Sequence, residues 1–184
     1  GHEIQLDADI LDALGRDDVS TINQGPYILL ELPLSQFPTF LAGYLGHLMR
    51  GGFTPIIAHG ERYAPVWENP ALLAPLIEMG VLVQITAASL LGTFGPQSKQ
   101  TAETLLKGHL AHVIASDAHQ VNVRPPQLRE ALRAATGLVG ADAVRRMTVE
   151  TPGAILRGEP LVLEPVAEPD PRPRRRVAFR REGH

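Results

Sequence analysis

The sequence contains no cysteine in its 184 residues, which excludes disulfides, zinc-thiolate sites and a catalytic thiolate. Aromatic side chains are scarce at 5%, with Trp67 the sole tryptophan, so any aromatic wall is built from few residues. Neither sign of charge dominates: the net charge of −3 provides no global field toward nucleic acid or an anionic membrane, and a partner must be recognised by local sites. No apolar run is long enough to cross a bilayer, and the N-terminus lacks the basic-then-apolar order of a secretory signal. The expectation is therefore a cytoplasmic chain with no membrane insertion. A hydrophobic content of 44% is enough for one core, and hence for one domain or most of one.

Buried strands read as short apolar runs. Tyr27-Ile-Leu-Leu-Glu31-Leu is stopped by Pro33, Thr54-Pro-Ile-Ile-Ala58 ends at His59, Val81 to Thr86 forms a third run, and His112 to Ala115 a fourth. Between them the spacing predicts helices. Phe37 to Arg50 carries an apolar stripe that stops at Gly51-Gly52, and Asn69-Pro70 supplies an N-cap and a first-turn proline for a helix through Ile77. Thr101 to Lys107 closes at Gly108, and further helices are expected over 125–135, over 142–147 and after Thr151-Pro152. Strands alternating with helices point to a parallel sheet, open or closed into a barrel.

The polar residues favour the barrel, because Glu31, His59 and the pair Asp117-Ala-His119 each stand where a buried strand stops. Barrel sites are assembled from the C-terminal ends of several strands. With Glu3 these make five candidate metal ligands: Glu3, Glu31, His59, Asp117 and His119. Carboxylates can bridge hard cations and imidazoles can fix the outer geometry, which suits a two-metal hydrolytic site of Mn, Fe, Zn or Mg. The plainer alternative is that Asp117 caps the next turn and His119 is a surface residue. Arg62 and Arg124 lie just beyond these strand ends and suit an anionic substrate, since a guanidinium can hold phosphate in bidentate fashion. Phosphate ester hydrolysis is the chemistry expected. Tyr63 and Trp67 either wall a pocket or pack locally, Gln84 supports a ligand or satisfies a buried backbone group, and His2, His47, His109, His112 and His184 are read as solvated or packed.

Several segments carry a family resemblance: Gly1-His-Glu3-Ile, Tyr27 to Pro33, Ile57-Ala-His59-Gly-Glu-Arg62-Tyr63, Gln84 to Gly95, and Ile114-Ala-Ser-Asp117-Ala-His119 with Arg124-Pro-Pro. They resemble, in order from Gly1 to about Gly158, the bacterial manganese-dependent protein tyrosine phosphatases of the polymerase-and-histidinol-phosphatase (PHP) superfamily, of the capsular polysaccharide type. The resemblance implies an α/β fold, a PHP-type distorted TIM-like (β/α) barrel, with a multinuclear Mn2+ centre. It implies hydrolysis of phosphotyrosine by metal-activated hydroxide, on a kinase of capsular or exopolysaccharide synthesis. By motif, Glu3, Glu31, His59, Asp117 and His119 would be metal ligands, and Arg62 and Arg124 would bind phosphate. Gly60 stands where the family has proline.

The family's opening His-x-His strand, Asp-Asp-Gly turn and Thr-Pro-His segment have no counterpart here. The expectation is an N-terminally incomplete barrel over 1–163, either a fragment or a truncated homologue, whose metal centre is incomplete alone and whose open edges invite homo-oligomerisation. Residues 164–184, rich in Pro and Arg, read as a flexible tail with arginines for an acidic partner or phosphate. Two other readings stand beside the phosphatase: another phosphoesterase of the superfamily, such as a histidinol-phosphate phosphatase, and a non-catalytic remnant that binds a phosphoprotein.

Overall fold

The computed structural model describes residues 2–6, 10–16, 19–119, 126 and 128–167. Among these described residues five strands, β1 (Glu3–Gln5), β2 (Tyr27–Glu31), β3 (Thr54–Ile57), β4 (Leu82–Thr86) and β5 (Val113–Ala115), lie side by side in chain order, and every neighbouring pair is parallel. Helices fill the connections: α1 (Ile10–Gly15), α2 (Leu41–Arg50), α3 (Ala64–Glu68), α4 (Ala74–Glu78), α5 (Ala87–Leu90) and α6 (Gly95–Lys107). After β5 come α7 (Arg129–Val139), α8 (Ala141–Arg145), a π-helical turn over Arg146–Glu150 and α9 (Thr151–Arg157). Parallel crossovers take one hand, so strands that follow in chain order receive their helices on one face. A doubly wound sheet reverses its order to cover both faces. Here the order runs straight through, and the uncovered face becomes the inside of a barrel wall.

Side-chain alternation divides the strands between two apolar clusters. Ile28, Leu30, Ile57, Val83 and Ile85 point outward into the main core, where Leu41, Leu45 and Leu48 of α2 and Leu105 of α6 cover them. Each such leucine, removed from water, contributes about 1.5–3 kcal/mol. Tyr27, Leu29, Ile56, Leu82 and Val113 point inward to a smaller cluster closed by Ile155 of α9 and Leu161. Cross-strand register keeps these sets level, with Leu29 opposite Ile56 and Ile56 opposite Leu82. Two residues farther along the same inner face the composition turns polar: Leu29 gives way to Glu31, and Leu82 to Gln84.

Several expected boundaries shift for local reasons. α2 begins at Leu41 rather than Phe37, behind Pro38, and ends as expected at Gly51-Gly52, where Gly52 takes φ +89°. α6 starts at Gly95, six residues before Thr101, since Pro96 in its first turn lacks only an N–H that would have no partner there. Asn69 Oδ1 does accept from the Ala71 N–H at 3.2 Å, but it opens a 3-10 turn over Pro70–Leu73 that only then becomes α4. α7 runs on to Val139 and stops at Gly140, φ +85°; residues 125 and 127 lie outside the described residues. Within the Pro/Arg-rich segment, residues 164–167 dock on the domain. Ala167 N–H donates to the Gly108 carbonyl at 3.0 Å, and Glu164 pairs with Arg146 at 2.7 Å. Residues 168–184, with the arginine run, lie outside the described residues.

Candidate metal centre

Four of the five strands deliver polar groups to one end of the inner face. Glu31 closes β2, His59 stands two residues past β3, and Asp117 stands two past β5. Glu3 is placed differently from the strand-end expectation: it opens β1, level with Leu29, and reaches the site because it faces inward. Glu3 Oε1 lies 2.9 Å and Glu31 Oε1 3.3 Å from His59 Nε2, an imidazole only 3% exposed. Two carboxylates converging on one nitrogen repel each other unless a cation stands between them. Their ligand atoms, with that of His59, lie within 4.8 Å of one another, and Glu3, Asp117 and His119 form a second set meeting the same limit. Glu3 belongs to both. Hard carboxylate oxygens with borderline imidazoles fit divalent ions of the Mn, Fe, Zn or Mg kind.

The backbone at these residues is strained. His59 (φ +34°) and Asp117 (φ +51°) both occupy left-handed conformations that favour glycine, at a cost of about 1–3 kcal/mol each. The His59 turn is held by side chains from neighbouring strands. Gln84 Oε1 accepts the His59 backbone N–H at 2.9 Å, so the glutamine satisfies a buried backbone group of a candidate ligand. Tyr63, fully buried, accepts from the Leu32 N–H and donates to the Ala58 carbonyl, both at 3.0 Å, tying the exits of β2 and β3 together. Burial pushes the Tyr63 phenol above its ordinary range, so it remains a donor.

Sequence reasoning assigned no role to Glu61, two residues beyond His59. It is fully buried: Oε1 accepts from the Ser89 hydroxyl at 2.6 Å and the Thr86 N–H at 3.1 Å, fastening the Gly60–Arg62 turn to the junction of β4 and α5. Burial pushes its carboxyl up to about 7, against the opposing pull of those two donors. Only the acidic residue beside the strand-end histidine could have hinted at this anchor. Arg62, next in the chain, aims Nη1 at Asp117 Oδ2, 3.6 Å away, and stacks 4.4 Å above the Phe94 ring. His119 Nδ1 lies 3.0 Å from the Asp117 carbonyl oxygen. Arg124 lies outside the described residues.

Gly60 is required by packing rather than by its dihedral angles. A Cβ there would lie 2.6 Å from Val83 Cγ1, a fully buried side chain of β4. Gly60→Ala is expected to lower stability by about 1–3 kcal/mol, as overpacking does. Combined with Val83→Ala it should cost less than the sum of the two single changes, measured by urea unfolding in a double-mutant cycle. Strict additivity would show that the two side chains do not collide.

Known proteins share this architecture. The family model described as "Capsular polysaccharide synthesis, CpsB/CapC" matches residues 1–157. Tyrosine-protein phosphatase YwqE of Bacillus subtilis is 34% identical over 96% of this chain and 68% of its own length, and the putative tyrosine-protein phosphatase CapC of Staphylococcus aureus is 38% identical over 71% and 51%. Tyrosine-protein phosphatase CpsB of Streptococcus pneumoniae is 31% identical over 85% and 66%. The chain thus spans between half and about two thirds of these relatives' lengths. A crystal structure from work on YwqE and CpsB, described as unique metal-dependent tyrosine phosphatases, superposes with a TM-score of 0.86 at 32% identity over 92% of this chain and 68% of that one. With a shared α/β architecture and a family match over most of its length, the chain belongs to the CpsB/CapC capsular polysaccharide synthesis family.

Proposed function

We propose that this chain carries the greater part of the active site of a metal-dependent protein tyrosine phosphatase. The observation behind this reading is the pair of donor sets sharing Glu3, set directly beside Arg62. Glu3, Glu31 and His59 would hold one divalent ion, and Glu3, Asp117 and His119 a second, with Mn2+ the preferred metal. Bound there, such ions lower the pKa of a coordinated water and offset charge on the phosphoryl oxygens. Arg62, its guanidinium fixed by Phe94 and Asp117, holds the phosphate and neutralises charge that grows in the transition state. Arg124 is assigned the same task from its motif. With no cysteine in the chain, a thiol phosphoenzyme route is unavailable. The partner proposed is a tyrosine-phosphorylated protein, a kinase of polysaccharide synthesis, met in the cytoplasm. Among the described residues no helix is long and apolar enough to cross a membrane. Pairing of open sheet edges between copies is proposed as the route to a homo-oligomer.

The test is phosphate release from a phosphotyrosine peptide by the purified chain with Mn2+ and with excess chelator. Release that the chelator abolishes and added Mn2+ restores is expected. Peptide binding without release, at saturating Mn2+, would instead favour a non-catalytic phosphoprotein binder.

A further inference from the structure

Glu31, His59 and Asp117 stand where strands end, whereas a cavity of about 440 Å3 opens beside His112, the residue immediately before β5. α6, α7, α8, the π-helical turn and residues 161–164 contribute its walls. Among the described residues that line it there is no candidate ligand of the metal centre. We propose that this cavity binds a small organic carboxylate with an apolar body and a second oxygen, a keto or hydroxy acid, separately from the phosphatase chemistry.

Three observations carry it. First, the walls are apolar where the ligand body would lie, with Leu106, Leu138, Met147 and Leu163 among them, and the volume falls within the range of small-molecule sites. Second, charge around the cavity is unbalanced: Lys107 and Arg146 are full cations, against the single carboxylate of Glu164. Glu164 itself shows how a carboxylate is held here. Its Oε1 lies 2.7 Å from Arg146 Nη2 and its Oε2 3.7 Å from His109 Nδ1, which is also 3.3 Å from the Pro165 carbonyl oxygen. A ligand carboxylate would balance the positive charge left over. Third, His112 lines the cavity, is only 9% exposed and has a donor to spare. Its Nδ1 accepts the Val83 N–H at 3.0 Å, so the proton of the neutral ring is on Nε2. That Nε2 is buried and has no partner among the described residues. Buried donors are ordinarily paired, and a carbonyl or hydroxyl oxygen of the ligand would pair this one.

The experiment is a calorimetric titration of the full chain, with Mn2+ and again with excess chelator, using three probes. These are 4-acetylbenzoate, 4-isopropylbenzoate, in which a methyl group replaces the ketone oxygen, and 4-acetylbenzyl alcohol, which lacks the charge. 4-Acetylbenzoate is expected to bind one per chain, equally with and without metal, and about tenfold more tightly than either analogue. Glu164→Gln removes the carboxylate that already engages Arg146 and should tighten binding severalfold. Ala143→Leu, which places a larger side chain in the cavity wall, should abolish it. No saturable binding, binding that the chelator abolishes, an analogue that binds as tightly as 4-acetylbenzoate, or binding unchanged in Ala143→Leu would each overturn the site.

Discussion

His59→Ala is expected to reduce metal-dependent phosphatase activity by a factor on the order of a thousand or more, well beyond the effect of losing a residue that only supports a ligand. His59 Nε2 is the point on which Glu3 and Glu31 converge, at 2.9 and 3.3 Å, and truncation leaves the two carboxylates facing a void. Asp117→Ala should disable the second donor set and also remove the anion beside Arg62. Glu3→Gln, which alters the group common to both sets, is expected to lower bound metal furthest, read as metal per chain after dialysis. Backbone strain separates a site role from a structural one. Asp117 sits at φ +51°, so Asp117→Gly relieves a left-handed conformation; the metal-free protein should be no less stable than wild type while activity is lost. Unchanged activity in His59→Ala and Asp117→Ala would remove these residues from the metal centre.

Much of this arrangement was legible in the sequence because buried parallel strands have a strong local signal. Tyr27 to Leu32, Thr54 to Ala58, Val81 to Thr86 and His112 to Ala115 are apolar runs with Pro, Gly or polar residues at their ends, and each became a strand within a residue or two. Ionisable residues at the ends of such runs are conspicuous, which brought Glu31, His59, Asp117 and His119 forward. β1, by contrast, has only three residues, too few for a period to show that Glu3 opens the strand and faces inward. α3 and α5 are single turns whose apolar residues cannot establish a helical stripe. Glu61 was missed because its environment is made by Thr86 and Ser89, more than twenty residues away in the chain. Docking of residues 164–167 depends on Gly108 and Arg146, partners that the composition of a proline-rich segment does not announce.

His112 should set the acid sensitivity of the metal-free protein. Its backbone N–H donates to the Val83 carbonyl at 2.8 Å, and its Nδ1 accepts the Val83 N–H at 3.0 Å, a reciprocal pair across β4 and β5. Protonating Nδ1 would set two donors against each other inside the fold. Burial pushes the imidazole down to about 4 from 6.5. Between those values the unfolded chain takes up a proton that the native chain refuses. Stability from this group is thus fully present above pH 6.5 and is lost as pH falls toward 4, by about 3 kcal/mol. Glu61 acts in the opposite sense. With its folded value about 7 against 4.5, the native state holds a proton that the unfolded state releases, so its contribution is present below 4.5 and lost as pH rises through about 7. Over the shared window the two slopes oppose, and wild type should show a shallow profile. His112→Asn retains an acceptor for the Val83 N–H but cannot titrate. Relative to its own value at pH 7, the variant should gain about 3 kcal/mol over wild type by pH 4, measured by urea unfolding with chelator present. Parallel profiles for the two proteins would show that His112 titrates as an ordinary histidine.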